Sequence, residues 1–394
     1  MAMGGGHDPK SARTANAFIA AIFLALLLKN IDKQLLGLFK PFLDAELGWS
    51  AWQFGLIAGV SQLVGALCLP LAGWAVDMFS LRRTLGGAVG IWSFATLAQA
   101  WIGGFSSLFA VRVALSASEA FGTPAALRGV THFLPPDKRP GALAVINMAG
   151  SAAAIVAPIM VAVLAQWFGW RSAAVVAGLA GFGWAIWWWR MPIPSRWMGD
   201  RDAGGAAPPM RHPAAMPIIA AKALSDQLWW VALFWLPDFI QSFAVEPGGA
   251  WGGMIAYCYA LAALGSLAAA RLLRVGVAPF VAGLVACVTL PFAPLAEGVW
   301  MASTLAGLAL LAHQIVSTRI FLAICDDRFR AATGRLAGRA ALAGHLLAFA
   351  SLTAVGAALD LGIGYPQIFV ALTIVYLIAL LFLRAGLIRM TIEG

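Results

Sequence analysis

The sequence predicts an all-α membrane protein whose twelve transmembrane helices form two pseudo-symmetric bundles of six. Of its 394 residues, 61% are hydrophobic and 11% are charged, and the mean hydropathy is +0.85. A soluble domain of this length could not bury so much apolar surface. The apolar runs are continuous and do not alternate, which indicates helices and not a β-barrel. Each helix needs ~20 apolar residues to cross a bilayer, so the chain has room for about twelve.

The apolar runs place six helices in each half of the chain. A polar tail covers residues 1–14, a first bundle 15–190, a cytoplasmic linker 191–215 and a second bundle 216–394. The linker is the one long hydrophilic stretch, and it is rich in proline and arginine. The predicted spans of the first bundle are 15–37, 51–76, 84–103, 106–131, 142–166 and 172–189. Those of the second bundle are 216–241, 251–272, 277–295, 299–325, 333–359 and 366–384.

The positive charges predict the orientation. Most lysines and arginines fall in the tail and in the connections after even-numbered spans. The connections after odd-numbered spans hold essentially Lys40, in a predicted loop with Asp44 and Glu46, and Arg171. By the positive-inside rule, both termini and the linker are cytoplasmic, and the predicted location is the inner (plasma) membrane of a bacterium. A monomer is expected, because twelve spans enclose their own pathway.

Other signals limit the possible partners and activities. The +9 net charge is scattered over short loops and spans, so no nucleic-acid partner is indicated. The four cysteines are isolated in apolar runs, which predicts neither a disulfide framework nor a zinc site, and no cofactor is expected. The chain has no His-Glu-x-x-His, no Gly-x-Ser-x-Gly and no phosphate-cradling loop. An enzyme is therefore not expected.

Ionisable residues inside the predicted spans indicate the functional site. Arg112 and Glu119 are seven positions apart, which is two helical turns, so they share one face about 10 Å apart along the axis. The first span also holds ionisable residues: Lys29, Asp32 and Lys33. Asp32 can neutralise one of the two lysines, so one positive charge remains without a partner. An ion at that depth costs from ~2.5 to over 10 kcal/mol, so it is rarely without a role or a partner. Two alternatives stay open: a salt bridge that only holds helices together, and lysines that extend to water from a helix end.

Several of these groups could hold a carboxylate solute. Lys29, Lys33, Arg112 and Arg319 are the candidate charge contacts, because a guanidinium fork fits a carboxylate with two hydrogen bonds. Sugar hydroxyls require neutral partners as well, and Trp230 could stack on a sugar face. The other candidate substrate contacts are Asn30, Gln62, Asn147, His313, Gln314 and Ser317. For each neutral residue, a hydrogen bond between helices, or simple packing for the tryptophan, is the alternative.

Short segments resemble the anion:cation symporter family of the major facilitator superfamily. The helix-4 stretch resembles its R-x-x-x-G-x-x-E-A-x-x-x-P pattern, with Ser116 in place of the glycine. Further matching residues are Phe133, Pro135, Arg139, Gly169-Trp170-Arg171 and Asp32-Lys33-Gln34. Asp77, Arg82 and Arg83 resemble the superfamily signature between helices 2 and 3, although Met78 and Ser80 depart from it. The segments 226–237 and 312–321 look most like the bacterial hexuronate transporters.

The resemblance implies a major facilitator fold and a proton-coupled symporter of an organic anion. It implies that Glu119 and Asp32 carry the coupled proton. On the predicted cytoplasmic face, Asp77, Arg82, Arg83 and Arg139 are expected to form gating contacts between the halves; charges that only set the topology are the alternative. Lys29, Gly65, Arg319, Arg335 and Arg339 depart from the hexuronate transporters, and most of them add cations.

The predicted function is therefore proton-coupled symport of a small organic anion by alternating access. The anion is expected to be a sugar acid such as a hexuronate or an aldonate, or a related carboxylate. Two alternatives remain: a proton-antiport exporter of drugs or metabolites, and a sensor or assembly protein that has kept a transporter scaffold.

Overall fold

A computed structural model describes residues 9–134, 139–192, 212–243, 251–329 and 333–392. The side chains of Asp77 and Asn147 are not among those described, and most of the predicted linker also lies outside these ranges. Within the described residues, all regular structure is helical. The α-helices are α1 Pro9–Leu47, α2 Ala51–Met78, α3 Leu81–Ala98, α4 Phe105–Glu119, α5 Gly122–Phe133, α6 Arg139–Phe168, α7 Arg171–Arg190, α8 Ala215–Gln241, α9 Trp251–Leu272, α10 Ala278–Phe292, α11 Val299–Ile324, α12 Thr333–Asp360 and α13 Tyr365–Ile392.

The helices confirm the predicted all-α membrane fold. In the described ranges, nine helices are long and apolar enough to cross a membrane by length and composition. The others are α3, α8 and the consecutive pair α4 and α5, whose 15 and 12 residues together cover predicted span 4. From α6 to α12, each predicted span begins and ends within three residues of its helix.

The predicted loop around Lys40 is wrong, because α1 continues through it to Leu47. Pro41 lies inside this helix. Lys40 pairs with Asp44 one turn further on, and its side chain is buried at 3% exposure. Carboxylates on α1 itself and on a neighbouring helix neutralise the buried ammonium. The segment can therefore stay helical and need not form a solvated loop. The same extension places Lys29, Asp32 and Lys33 in the middle of a 39-residue helix and not at its end, which removes the interpretation that these lysines extend to water from a helix end.

The helical course of span 4 breaks directly after Glu119. Helix α4 ends at this residue and α5 begins at Gly122. Pro124 explains the position of the break, because proline has no N–H to donate to the carbonyl of Ala120 and its ring crowds that carbonyl. Glu119 therefore lies at a helix end in the interior of the protein, with 4% of its surface exposed.

The two halves, α1–α7 and α8–α13, meet along three pairs of helices: α2 with α12, α6 with α9, and α1 with α8. The first two pairs are equivalent. Helices α2 and α9 are the second predicted spans of the two halves and α6 and α12 are the fifth, so each pair joins a second span of one half to a fifth span of the other. The ends of α6 and α12 share a further feature. Gly169 and Gly362 follow them with φ of 79° in both cases, a left-handed conformation that glycine adopts without strain at a helix C-terminus.

The closest approaches between the halves lie at one end of the molecule. A Cβ on Gly55 of α2 would come within 2.5 Å of the Leu352 carbonyl oxygen of α12. A Cβ on Gly252 of α9 would come within 2.6 Å of the Pro158 carbonyl oxygen of α6. The helix backbones can approach this closely because glycine has no side chain. We call this contact region, at the end where α1 finishes and α2 begins, the closed seam.

Candidate functional site

A cavity of about 330 Å³ lies between the halves, next to the closed seam and toward the end at which α1 begins. Helices α1, α2, α4, α5, α8 and α12 form its wall. The charged and polar residues of the wall are Lys29, Lys33, Ser61, Gln62, Ser116, Glu119, Thr123, Trp230 and His345. The structure thus brings Lys29, Lys33, Gln62, Glu119 and Trp230, which sequence analysis selected from distant segments, to one cavity.

The two lysines of α1 point to different parts of the wall. The Lys29 ammonium donates a hydrogen bond to Thr123 Oγ1 at 3.1 Å. The Lys33 ammonium lies 5.2 Å from the ring centroid of Trp230, which belongs to the other half. Such a cation–π contact leaves the ammonium without a counter-charge. Both lysines therefore keep hydrogen-bonding capacity for a solute in the cavity.

Two acids and an arginine form a buried group behind this wall. Asp32 and Arg112 are each 2% exposed. Arg112 Nη1 donates to the backbone carbonyl of Asp32 at 3.2 Å. Within the described residues, Asp32 Oδ1, Arg112 Nε and Glu119 Oε1 are buried without a hydrogen-bond partner. Of the three, only Glu119 reaches the cavity wall, so Arg112 is placed next to Asp32 and not in the cavity.

The structure does not place the remaining candidate contacts on the cavity wall. Asn30 donates to the Leu26 carbonyl of its own helix at 2.7 Å. His313 is 2% exposed and packs in the core of the C-terminal half, with Nδ1 3.3 Å from the Tyr376 hydroxyl. Gln314, Ser317 and Arg319 follow on the same helix, α11, away from the wall. Helix α11 packs mainly on α9 and α10 inside its own half, and none of its described residues lines the cavity.

The contacts found for the predicted gating arginines lie within the N-terminal half. Arg82 donates to the Met191 carbonyl, and Arg139 Nε donates to the Leu134 carbonyl at 2.9 Å. Arg83 lies on a surface groove with Phe79 and Phe121. The side chain of Asp77 is outside the described part of the chain. These residues lie at the end opposite the closed seam.

Sequence analysis missed four polar residues of the wall: Ser61, Ser116, Thr123 and His345. The serines and the threonine carried no signal, because small polar residues are common in membrane helices. His345 did carry one, since it is the one histidine of a predicted transmembrane helix. Its Nδ1 donates to the Ala341 carbonyl at 2.7 Å, and its ring lies 5.1 Å from that of Trp230. Nε2 therefore remains as a hydrogen-bond acceptor at the cavity.

A second set of charges joins the halves across the closed seam. Lys40 of α1 pairs with Asp238 of α8 at 2.8 Å as well as with Asp44. The Tyr365 hydroxyl of α13 donates to the same Asp238. At the α2–α12 contact, the Asp360 carboxylate accepts hydrogen bonds from the Ala51 and Trp52 backbone N–H groups at 2.9 and 2.8 Å. This end of the molecule is thus closed by specific polar contacts.

Two helical halves around a central polar cavity are the architecture of a secondary transporter. The Major Facilitator Superfamily matches residues 21–352 of the sequence. The chain therefore belongs to this superfamily of membrane transporters and is not an enzyme.

Individual relatives are similar over part of their length. The hexuronate transporter of Bacillus subtilis (strain 168) is 28% identical over 172 residues, which cover 44% of this chain and 41% of that protein. A probable sulfoacetate transporter of Cupriavidus necator is 25% identical over 248 residues, 58% of each chain. The chain thus spans about half the length of these curated relatives, 41% and 58%.

A solved structure shows the same fold. It is a bacterial homologue of the human lysosomal transporter Spinster in an inward-facing and occupied conformation. The TM-score is 0.77 at 20% identity, and the match covers 94% of this chain and 96% of that one.

Proposed function

We propose that this protein imports a small organic anion, of the sugar-acid or related carboxylate class, together with a proton across the bacterial inner membrane. One observation carries the proposal: two lysines that form no ion pair within the described part of the chain share a single cavity between the halves with a buried glutamate. The lysines attract the anion, and the glutamate is the group that can take up and release a proton. The names of the relatives, carriers of hexuronate and sulfoacetate, support an anionic substrate.

The proposed mechanism alternates access to this cavity. With Glu119 protonated, the lysines and the arginine exceed the remaining negative charge, so the empty cavity favours an anion. Loss of the proton on the cytoplasmic side restores the carboxylate, which then competes with the substrate for Lys29 and Lys33 and promotes its release. Arg112 donates a hydrogen bond to the backbone carbonyl of Asp32 and so holds Asp32 next to the charged group that contains Glu119. The halves rock about the contact helices α1, α2, α6, α8, α9 and α12.

Proton-driven uptake into proteoliposomes tests this proposal. We expect the wild-type protein to accumulate a labelled hexuronate or aldonate only when the outside is more acidic than the lumen. Glu119→Gln cannot bind the proton, so accumulation should fall at least ten-fold, while exchange of internal for external substrate continues. The control is Glu297→Gln, which removes an exposed carboxylate in the connection between α10 and α11.

Different failures have different meanings. Wild-type accumulation by the Glu119→Gln protein would show that another group carries the proton. Gradient-driven movement in the opposite direction would identify an exporter instead of an importer.

A further inference from the structure

Unlike the other described lysines, the two cavity lysines have no described carboxylate within ion-pair distance. Lys40 pairs with Asp44 and Asp238, and Lys222 pairs with Asp226 of its own helix at 2.5 Å. Within the described part of the chain, neither Lys29 nor Lys33 forms an ion pair. Their contacts are the Thr123 hydroxyl and the Trp230 ring. Glu119 on the same wall is the acid that can compensate these lysines. When it holds a proton, the negative charge that buried ammonium groups require should come from the bound solute.

The ionisable groups on the cavity wall and directly behind it carry a net positive charge. Lys29, Lys33 and Glu119 line the wall, and Arg112 and Asp32 are buried behind it. Three cations therefore stand against two carboxyl groups. His345, the other titratable residue of the wall, already uses Nδ1 as a donor to a carbonyl and is taken as neutral. The group therefore has a net charge of +1 when both acids are ionised and +2 when one of them holds a proton.

We propose that the substrate of this cavity is a hydroxylated dianion, a small solute with an acidic group near each end. This inference rests on the proposed function and specifies its substrate class. Lys29 and Lys33 are one helical turn apart, but their ammonium groups diverge toward α5 and α8. A dianion can place one acidic group at each lysine and so pair with both ammonium groups, whereas a monoanion leaves one ammonium group unpaired.

Charge balance during transport gives a second argument. The proton-loaded site has a net charge of +2, and a dianion brings the closed complex to neutrality. A monoanion would leave one uncompensated charge in the protein interior, which is unfavourable. The neutral hydrogen-bonding residues of the same wall suit hydroxyl groups on the connecting chain: Ser61, Gln62, Ser116 and Thr123. An aldaric acid combines both features.

Binding of three solutes with one carbon skeleton tests the inference. The hexitol, aldonate and aldarate of the galacto series carry no, one and two carboxylates, and the gluco series controls for stereochemistry. Isothermal titration of the purified full chain at constant ionic strength gives each Kd. We expect the better aldarate to bind at least ten-fold more tightly than either aldonate, and the hexitols to bind more weakly than both.

The lysine variants show which groups cause this preference. Lys29→Gln and Lys33→Gln should each lower the affinity for the aldarate at least ten-fold and the affinity for the aldonate less. The ratio of the aldonate Kd to the aldarate Kd should therefore fall toward one. Lys33→Arg keeps the charge and should keep the preference. Arg274→Gln, an exposed site between α9 and α10, removes one positive charge outside the cavity and should leave the preference unchanged.

Two results would overturn the dianion inference: equal affinities for aldarates and aldonates, or an equal loss of both in the lysine variants. Aldonate uptake driven by the proton gradient would in that case persist, and the proposed function would stand. If sugar acids bind no better than the hexitols, the proposed function fails and the inference fails with it.

Discussion

Two histidines on apolar helices have opposite surroundings in this protein. His313 lies in the core of the C-terminal half, where it contacts Tyr376 and stacks on Trp229. His345 lies on the cavity wall next to Trp230. In the sequence both are histidines within predicted transmembrane helices, and nothing local distinguishes their surroundings. Only the rotation of each helix in the bundle decides which of them can meet a solute.

Replacement of each histidine by phenylalanine separates the two roles. His345→Phe keeps an aromatic ring and removes the Nε2 acceptor, so the half-saturation for a sugar acid should rise about five-fold, equivalent to ~1 kcal/mol. His313→Phe removes the contact with the Tyr376 hydroxyl, so the unfolding temperature should fall while half-saturation changes less than about two-fold. Transport kinetics and thermal unfolding of both variants provide the measurement. Equal changes of half-saturation would contradict the placement of His345 at the substrate.

At the scale of the helices, α12 caps α2 across the boundary between the halves. Asp360, the last residue of α12, accepts two backbone hydrogen bonds from the first turn of α2. A carboxylate at a helix N-terminus satisfies free N–H groups and interacts favourably with the helix dipole. This contact exists only while the closed seam is closed, so it stabilises one conformation of the transporter relative to the other.

Asp360→Ala should therefore shift the conformational equilibrium. The lost cap is worth about 1 kcal/mol, which corresponds to a roughly five-fold larger fraction of molecules with the seam open. Spin labels at Ala45 and Leu361, exposed positions on opposite halves at this end, report the change as a larger long-distance population. Asp326→Ala, which removes a carboxylate that contacts Arg328 two residues away, is the matched control. An unchanged distance distribution in Asp360→Ala would mean that the cap does not stabilise the closed state.

For the whole molecule, Lys40 connects the two halves by an ion pair. Its ammonium lies between Asp44 of the N-terminal half and Asp238 of the C-terminal half, and 5.5 Å from the ring centroids of both Phe54 and Trp235. Removal of this charge leaves the two partly buried carboxylates, Asp44 and Asp238, without the cation that separates them, which is unfavourable. The closed seam should then open.

Accessibility of the cavity from each side of the membrane measures this effect. In a variant without the four native cysteines, a cysteine at Ser116 should react with a membrane-impermeant maleimide from the side where α1 begins. Lys40→Met should increase its reaction from the opposite side at least five-fold. Lys222→Met breaks an ion pair inside one helix and should not. If both variants react alike, general loosening of the protein explains the result and Lys40 has no specific role in closure.

The sequence predicted the helices well, because each one must supply its own backbone hydrogen bonds in the membrane and shows this as a continuous apolar run. The failure at Lys40 has a physical reason. A charged, proline-containing segment resembles a loop unless the residue that neutralises it is known, and Asp238 is almost two hundred positions away. The candidate site was predicted only in part. Lys29, Lys33 and Glu119 stand out as charges in apolar helices, whereas Ser61 and Thr123 do not.

By itself, the sequence determined the class of protein, the course of its helices and the presence of buried charges, because local hydrophobicity and length set these properties. The tertiary structure decided which of the buried charges share a cavity. It placed Lys33 against Trp230, Arg112 behind Asp32, and His345 instead of His313 at the wall. Those outcomes depend on how helices rotate and pack across two halves, and packing between distant segments leaves no mark on the local pattern of residues.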